Sequence, residues 1–187
     1  MELHEILPVV KDELNLYLVA NRLKPATKID FSDHWSDKVP LLRTILDGLP
    51  VVYNEYIIKL PSFFGCDNVT FFNIGADSEK LERLLQAKTH REIGLAYGFP
   101  KEAVEAFEPT ALSGVKFHDA LILAIKSGLK LPSWLAYISH VPEQFDLVND
   151  NVSVSSKNLG KKYQLYVRAN NPRLAEIVEN DFSCRFF

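Results

Sequence analysis

Apolar residues in the first 18 positions recur at intervals of three and four, the spacing of one face of an α-helix. The residues on this face are Leu3, Ile6, Leu7, Val10, Leu14, Tyr17 and Leu18. Pro8 is tolerated in a first turn but breaks a helix interior, so the helix begins near Leu7 or is kinked there. A second helix is predicted over residues 36–46, with Gly48 after its end. Pro40 fits this helix only if it lies in the opening turn.

Three segments predict β-strands because they concentrate β-branched and aromatic residues. The first two cover residues 51–60 and 69–74, and the short turn-like segment before the second favours a hairpin. The residues that share one face of the first strand are Val52, Tyr56, Ile58 and Leu60. Residues 134–141, bounded by Pro132 and Pro142, predict the third strand.

The remaining chain predicts five helices, over residues 77–97, 101–107, 115–127, 156–169 and from residue 172 onwards. Asp77 or Ser78 caps the first of them, and Gly98 follows its end. The third is apolar on most sides, which is typical of a central buried helix. Asn171 caps the last helix, and Pro172 occupies its first position.

The order of these elements indicates the fold class. Strands and helices do not alternate strictly, so a doubly wound parallel sheet is disfavoured. We therefore predict an α+β fold, rich in helix, with a small sheet of about three or more strands. A length of 187 residues fits one domain, so residues 1–187 are assigned to a single globular domain.

Composition and charge exclude several classes of partner. A net charge of −3 and an isoelectric point near 6.0 provide no broad basic field, which argues against general nucleic-acid binding. The one basic stretch consists of Lys157, Lys161, Lys162, Arg168 and Arg173. Acidic residues follow it closely, so it is interpreted as a solvated helical face.

The cysteine content and the N-terminus bear on the compartment. Cys66 and Cys184 are the only cysteines, too few for a disulfide framework, and no Cys and His residues have zinc-site spacing. The N-terminus lacks the pattern of a signal peptide, and no apolar run reaches the length that spans a bilayer. We therefore expect a cytoplasmic protein that does not enter a membrane.

Two charged residues, Lys88 and Glu92, conflict with the apolar pattern of the predicted helix over residues 77–97. The apolar stripe consists of Leu81, Leu84, Leu85, Leu95 and Ala96, and both charges fall within it. Buried charges are costly unless paired, so we expect a coupled, partly buried pair, either structural or catalytic with Glu92 as acid or base. Alternatively, the helix turns Thr89, Ile93 and Tyr97 inward, and both charges are exposed.

Other candidate site residues are His118, Asp119 and His140. The first two open the most apolar predicted helix, and His140 stands at the end of a predicted strand. Each histidine can be structural or functional, because a buried histidine needs a hydrogen-bond partner in both roles. Their spacing does not require a metal site, so none is assigned. The sequence also lacks an activated nucleophile, a P-loop and a dinucleotide fingerprint, and no cofactor is assigned.

Two groups of motifs resemble those of a known family. Residues 90–100 (HREIGLAYGFP), continued by residues 104–107, resemble the central motif of the uncharacterised DUF483 family of archaeal proteins. Residues 139–142, 160–163 and 171–172 form a second similarity, and the two together cover about a third of the chain. The resemblance implies an archaeal context and no activity.

The chain departs from that family pattern at one point. Relatives often carry cysteines soon after the proline of the second motif, where this chain has Glu143 and Asp146. A metal role is therefore not carried over. We interpret the protein as a ligand- or protein-binding or regulatory module, and a homo-oligomer or a protein partner stays open. The alternative is a small enzyme that uses Glu92 with His118 or His140.

Overall fold

The computed structural model of the chain describes residues 6–7, 9–60, 68–105, 131–139 and 153–186. Helices and a three-stranded antiparallel sheet confirm the predicted α+β class. In this part of the chain, no helix is long and apolar enough to cross a membrane. The central helix predicted over residues 115–127 lies outside the described residues.

The chain divides into two compact units. Unit 1 comprises Met1–Lys88 and Ala96–Gly98, and unit 2 comprises Thr89–Leu95 and Phe99–Phe187. The assignment of residues 1–187 to a single domain stays a prediction.

Unit 1 contains three helices and three strands. They are α1 (Val10–Ala20), β1 (Ala26–Ser32), α2 (Val39–Asp47), β2 (Val52–Lys59), β3 (Asn68–Gly75) and α3 (Ser78–Gln86), with a 3₁₀ helix (Asp33–Lys38) before α2. Helix α1 begins after Pro8, because Val9 is extended and the helical conformation starts at the next residue. Helix α2 begins at Val39, three residues later than predicted, so Pro40 lies in its opening turn. Gly48 lies at its end, as predicted.

The sheet has the order β1-β3-β2, and both pairings are antiparallel. The predicted hairpin between β2 and β3 is thus confirmed. Strand β1 was not predicted, although its polar residues Lys28 and Asp30 alternate with Ile29 and Phe31, a pattern that favours a half-buried strand. The sheet therefore has two distinct faces, because successive side chains of a strand point to opposite sides.

The first face of the sheet carries the main core of unit 1. Its residues on the strands are Ile29, Phe31, Phe72 and Ile74, and they cluster with Leu16 and Val19 of α1 and with Leu42 and Leu46 of α2. The rings of Phe31 and Phe72 meet edge to face with centroids 6.4 Å apart, a favoured aromatic geometry. This cluster holds α1 and α2 on the sheet.

The second face is covered at one end by α3. Gly75 of β3 lies so close to this helix that an added Cβ would be 2.6 Å from the backbone nitrogen of Leu81. Ala26 is the β1 neighbour of Gly75, and it packs with Leu84, Ala96 and Tyr97. Small residues at this end thus allow α3 to approach the strands.

The single helix predicted over residues 77–97 is wrong. Asp77 caps α3 as expected, since its Oδ1 accepts the Lys80 N–H at 2.9 Å, but α3 ends at Gln86. Ala87 is extended, and a separate helix, α4 (His90–Ala96), follows. Lys88 therefore lies in the connection between two helices.

Unit 2 contains residues 90–95 of α4, a short helical segment at residues 101–105, a 3₁₀ helix (Ser133–Tyr137), α5 (Val154–Asn170) and α6 (Pro172–Phe186). The last two confirm the predicted C-terminal helices. Asn171 Oδ1 accepts the Leu174 N–H at 3.1 Å, and Pro172 opens α6. The cap and the proline were thus both located correctly from the sequence.

The strand predicted over residues 134–141 is wrong where the structure describes it. Residues 133–137 form a 3₁₀ helix, and Trp134, Leu135, Ala136 and Tyr137 are all buried. A run that is buried at every position lacks the alternation that distinguishes a half-buried strand, so the local pattern is ambiguous.

Helices α5 and α6 hold this 3₁₀ helix through close packing and hydrogen bonds. An added Cβ at Gly160 of α5 would lie 2.5 Å from Cε3 of Trp134. The Tyr137 hydroxyl donates to Glu179 Oε1 at 2.6 Å, and Arg168 Nε donates to the same oxygen at 2.8 Å. Gln164 Nε2 donates to Ser133 Oγ at 2.9 Å. Unit 2 therefore combines a tight apolar contact with a polar network that reaches the surface at Arg168.

The contact between Gly160 and Trp134 leads to a first prediction. Alanine normally stabilises a helix by about 1 kcal/mol relative to glycine, but overpacking a core costs about 1–3 kcal/mol. Gly160→Ala should therefore lower the free energy of unfolding, measured by urea titration with circular dichroism. Gly48→Ala is the matched control, because its added Cβ would have no atom closer than 3.5 Å. A stabilised Gly160→Ala protein would contradict the described packing.

Candidate functional site

Of the predicted site residues, the structure describes Lys88 and Glu92, and both side chains are exposed. The expected burial of this pair is therefore wrong. The reason is the break after Gln86, which ends the apolar stripe before it reaches either charge. His118, Asp119 and His140 lie outside the described residues.

Glu92 has a structural role at the start of α4. Its Oε2 accepts the Thr89 N–H at 3.0 Å, and the Thr89 Oγ1 accepts the Glu92 N–H at 3.1 Å. This reciprocal arrangement is a capping box, which satisfies two backbone donors at a helix N-terminus. The Thr-x-x-Glu spacing in the sequence was the local signal for a new helix start here.

The capping box predicts modest effects of mutation. Thr89→Ala and Glu92→Ala should each lower the free energy of unfolding by about 1 kcal/mol, whereas a broken buried ion pair would cost about 3–5 kcal/mol. Glu92→Gln retains the acceptor and should leave stability nearly unchanged. Urea unfolding of the three variants checks these values, and a loss above about 3 kcal/mol in Glu92→Ala would refute the exposed cap.

A buried lysine, Lys24, is the centre of a polar cluster in unit 1. After α1 ends, Arg22 adopts a left-handed conformation with φ of 58°, and the N–H groups of Leu23 and Lys24 both donate to the carbonyl of Leu18. This turn reverses the chain at the helix end. The Lys24 side chain consequently extends back beside α1, and the residue is only 4% exposed.

The surroundings of the Lys24 amine are polar and aromatic. Its Nζ donates to Asn15 Oδ1 at 2.6 Å and lies 5.9 Å from the centroid of the Tyr97 ring. Gly98, with φ of 78°, follows Tyr97, and an added Cβ there would be 2.5 Å from Cδ of Pro25. Gly98 thus packs against Pro25, the residue after Lys24. This contact places Tyr97 beside Lys24.

Two acids, Asp12 and Asp30, complete the group, which we call the Lys24 cluster. Its members are Asp12, Asn15, Lys24, Asp30 and Tyr97. Burial, and secondly the charge of Lys11, lower the pKa of Lys24 from 10.5 to about 7, while Asp12 opposes this shift. Burial, and secondly the charge of Asp30, raise the pKa of Asp12 from 3.8 to about 7, while Lys24 opposes it.

The Lys24 cluster adjoins aromatic residues on the second face of the sheet. Asp30 of β1 is opposite Phe71 of β3, which in turn is opposite Tyr56 of β2. The Phe71 and Tyr56 rings stack with centroids 5.2 Å apart, and Lys28 Nζ lies 3.8 Å from the centroid of Phe71. Burial, followed by the charges of Tyr56 and Asp30, raises the pKa of Tyr97 to about 12. The cluster and this aromatic face therefore share one electrostatic environment.

The Lys24 cluster can change its charge near neutral pH. Below pH 7, Lys24 is mainly an ammonium donor, and Asp12 is mainly a neutral acid that can also donate a hydrogen bond. Above pH 7, the amine is mainly neutral and the carboxyl is ionised. Within the described ranges, no three or more His, Cys, Asp or Glu side chains are grouped as metal ligands. The Lys24 cluster itself offers hydrogen bonding and charge recognition.

Sequence patterns indicated little of this site. The alternation along β1 could have placed Lys28 and Asp30 on one face of a strand. Lys24 gave no comparable signal, because a lysine between helix and strand usually extends into water. Its burial depends on the left-handed turn at Arg22 and on contacts with Tyr97, which is distant in sequence.

Comparison with known proteins gives no relative. No protein-family model, curated protein or solved structure matches this chain. The resemblance to the DUF483 family therefore stays a prediction, and function has to be argued from the residues themselves.

The opposite pKa shifts of Asp12 and Lys24 predict an unusual pH dependence. Asp12 binds its proton more tightly in the folded state, so its stabilising contribution is lost as the pH rises from about 4 to about 7. Lys24 binds its proton less tightly when folded, so its contribution grows as the pH rises from about 7 towards 10.5. The cluster's combined contribution to stability should have its minimum near pH 7.

Two substitutions separate the contributions. Asp12→Asn should remove the fall in the free energy of unfolding between about pH 4 and pH 7. Lys24→Met should remove the rise in the free energy of unfolding above about pH 7. Both are measured by urea unfolding from pH 4 to 10. Arg83→Met, at an exposed cation of the same unit, is the control. Three curves parallel to that of the unmodified protein would contradict the shifts.

Proposed function

We propose that the protein is a small-molecule-binding module whose ligand presents a carboxylate or phosphate group to the Lys24 cluster. The observation that carries the proposal is a buried amine with a second lysine nearby. Lys24 is 4% exposed and its Nζ donates to Asn15 Oδ1 at 2.6 Å, and its pKa is lowered first by burial and secondly by the charge of Lys11. An anion beside both lysines would relieve their repulsion and replace the water that Lys24 has lost.

Asp12 supports the same proposal. With a pKa raised to about 7, its carboxyl is largely neutral in the protonation state that keeps Lys24 charged. A neutral carboxyl does not repel an anion and can donate a hydrogen bond to it. The aromatic rings of Phe71 and Tyr56 on the adjoining face offer apolar contact area for the remainder of such a ligand.

The enzyme hypothesis based on Glu92 has less support. Glu92 is exposed, and its carboxylate accepts a backbone hydrogen bond in the capping box. Since His118 and His140 lie outside the described residues, their pairing with Glu92 stays a prediction. The binding hypothesis rests instead on side chains whose contacts are described.

A screen of small carboxylates and phosphate monoesters by thermal shift, followed by calorimetric titration, tests the proposal. Affinity for a compound that binds should fall by about tenfold or more between pH 6 and pH 8, because Lys24 loses its proton in this interval. Binding above pH 7 should also take up a proton, which is measured by titration in buffers of different ionisation enthalpy.

Variants show whether such binding involves the Lys24 cluster. Lys24→Met should weaken binding by at least about tenfold, Asp12→Asn should reduce its pH dependence, and Arg83→Met should have no effect. The proposal fails if no compound in the screen raises the melting temperature, or if the compounds that bind have the same affinity for Lys24→Met.

A further inference from the structure

Strand β2 lies at an edge of the sheet. In the part of the chain that the structure describes, β3 is its only strand neighbour. The edge is also apolar near its end, where Ile57 is 62% exposed and Ile58 is 40% exposed. Folded proteins usually protect such an edge, because its backbone donors and acceptors can pair with another strand.

Exposure increases along β2 because α2 holds its first half. The Tyr53 hydroxyl donates to Asp47 Oδ1 of α2, and Arg43 of α2 makes a two-pronged ion pair with Glu55. The last three residues of the strand, Ile57, Ile58 and Lys59, are exposed. The accessible part of the edge is therefore short, apolar and terminated by a cation.

The sequence of β2 is complementary to itself in one antiparallel register. A two-fold axis normal to the sheet keeps each face continuous, so paired residues must lie on the same face and one residue must oppose its own copy. When that residue is Ile57, Tyr56 opposes the partner's Ile58 and Glu55 opposes the partner's Lys59. Apolar, aromatic and opposite-charge pairs of this kind stabilise neighbouring strands.

The neighbouring registers lack this complementarity. Centring on Tyr56 would place the charge of Glu55 opposite the partner's Ile57, and centring on Ile58 would place Lys59 opposite the partner's Ile57. Only the register through Ile57 opposes unlike charges while the exposed isoleucines meet apolar side chains. Glu55 can accept from Lys59 in addition to Arg43, because a carboxylate offers about four acceptor positions.

We propose that β2 pairs antiparallel with β2 of a second copy of this chain, in the register centred on Ile57. The two sheets then form one continuous sheet of the order β1-β3-β2-β2-β3-β1. Tyr56 belongs both to this edge and to the aromatic face beside the Lys24 cluster. The pairing rests on the backbone edge of β2 and on Ile57, so it does not depend on the ligand proposed above.

Sedimentation equilibrium over a range of concentrations tests the association. The unmodified chain should show a reversible monomer–dimer equilibrium. Ile57→Lys opposes two like charges across the axis and should weaken dimerisation by at least about tenfold. Leu165→Lys is the matched control, since Leu165 of α5 is 68% exposed, and it should leave the equilibrium unchanged. A chain that is monomeric at all concentrations, or an unaffected Ile57→Lys dimer, would overturn the proposal.

Disulfide formation tests the register. Directly opposed residues have Cα atoms about 4.5–5.5 Å apart, within the range of a disulfide, so Ile57→Cys should form a cross-linked dimer on mild oxidation. Lys59→Cys should not, because four residues of offset separate its two copies by about 13 Å. Both variants carry Cys66→Ser and Cys184→Ser, since Cys184 is an exposed free thiol. Equal cross-linking of both variants would exclude this register.

Discussion

Strand β3 pairs on both sides, and this central position governs the organisation of unit 1. Its even-numbered residues Phe72 and Ile74 supply the core under α1 and α2. Its odd-numbered residues Phe71 and Gly75 provide the aromatic surface and the close approach of α3 on the other side. Because the period of a strand is two, a shift of one residue in its pairing would exchange these faces and disrupt both.

Features that depend on neighbouring residues could be predicted from the sequence. Asn171 was predicted as a helix cap and Asp77 as one of two candidate caps, and Pro172 was predicted as a first helical residue. Each of these residues acts within one turn of its own position. The hairpin of β2 and β3 follows the same logic, since its strands are joined by a short connection. Local hydrogen bonding was therefore sufficient for these elements.

Features that depend on distant contacts could not be predicted in the same way. Residues 134–137 are apolar throughout, which suits a strand or a buried helix, and their contacts with α5 and α6 decide the outcome. The same limit applies to Lys24, whose burial requires Tyr97 from a segment more than 70 residues away. Glu92 is the opposite case, because its partner Thr89 is only three residues away and the capping signal was local. The prediction of one continuous helix followed the apolar spacing and not this signal.

Each unit contains one of the two tryptophans, which makes the intrinsic fluorescence of each unit distinguishable. Trp134 is 5% exposed against α5 in unit 2, whereas Trp35 is 42% exposed in the 3₁₀ helix of unit 1. A buried indole emits at a shorter wavelength than a hydrated one, so the emission maxima of Trp134 and Trp35 differ. Replacing either ring by phenylalanine leaves a fluorophore that reports on one unit alone. Whether the two units melt together or in sequence is thereby accessible without an extrinsic dye.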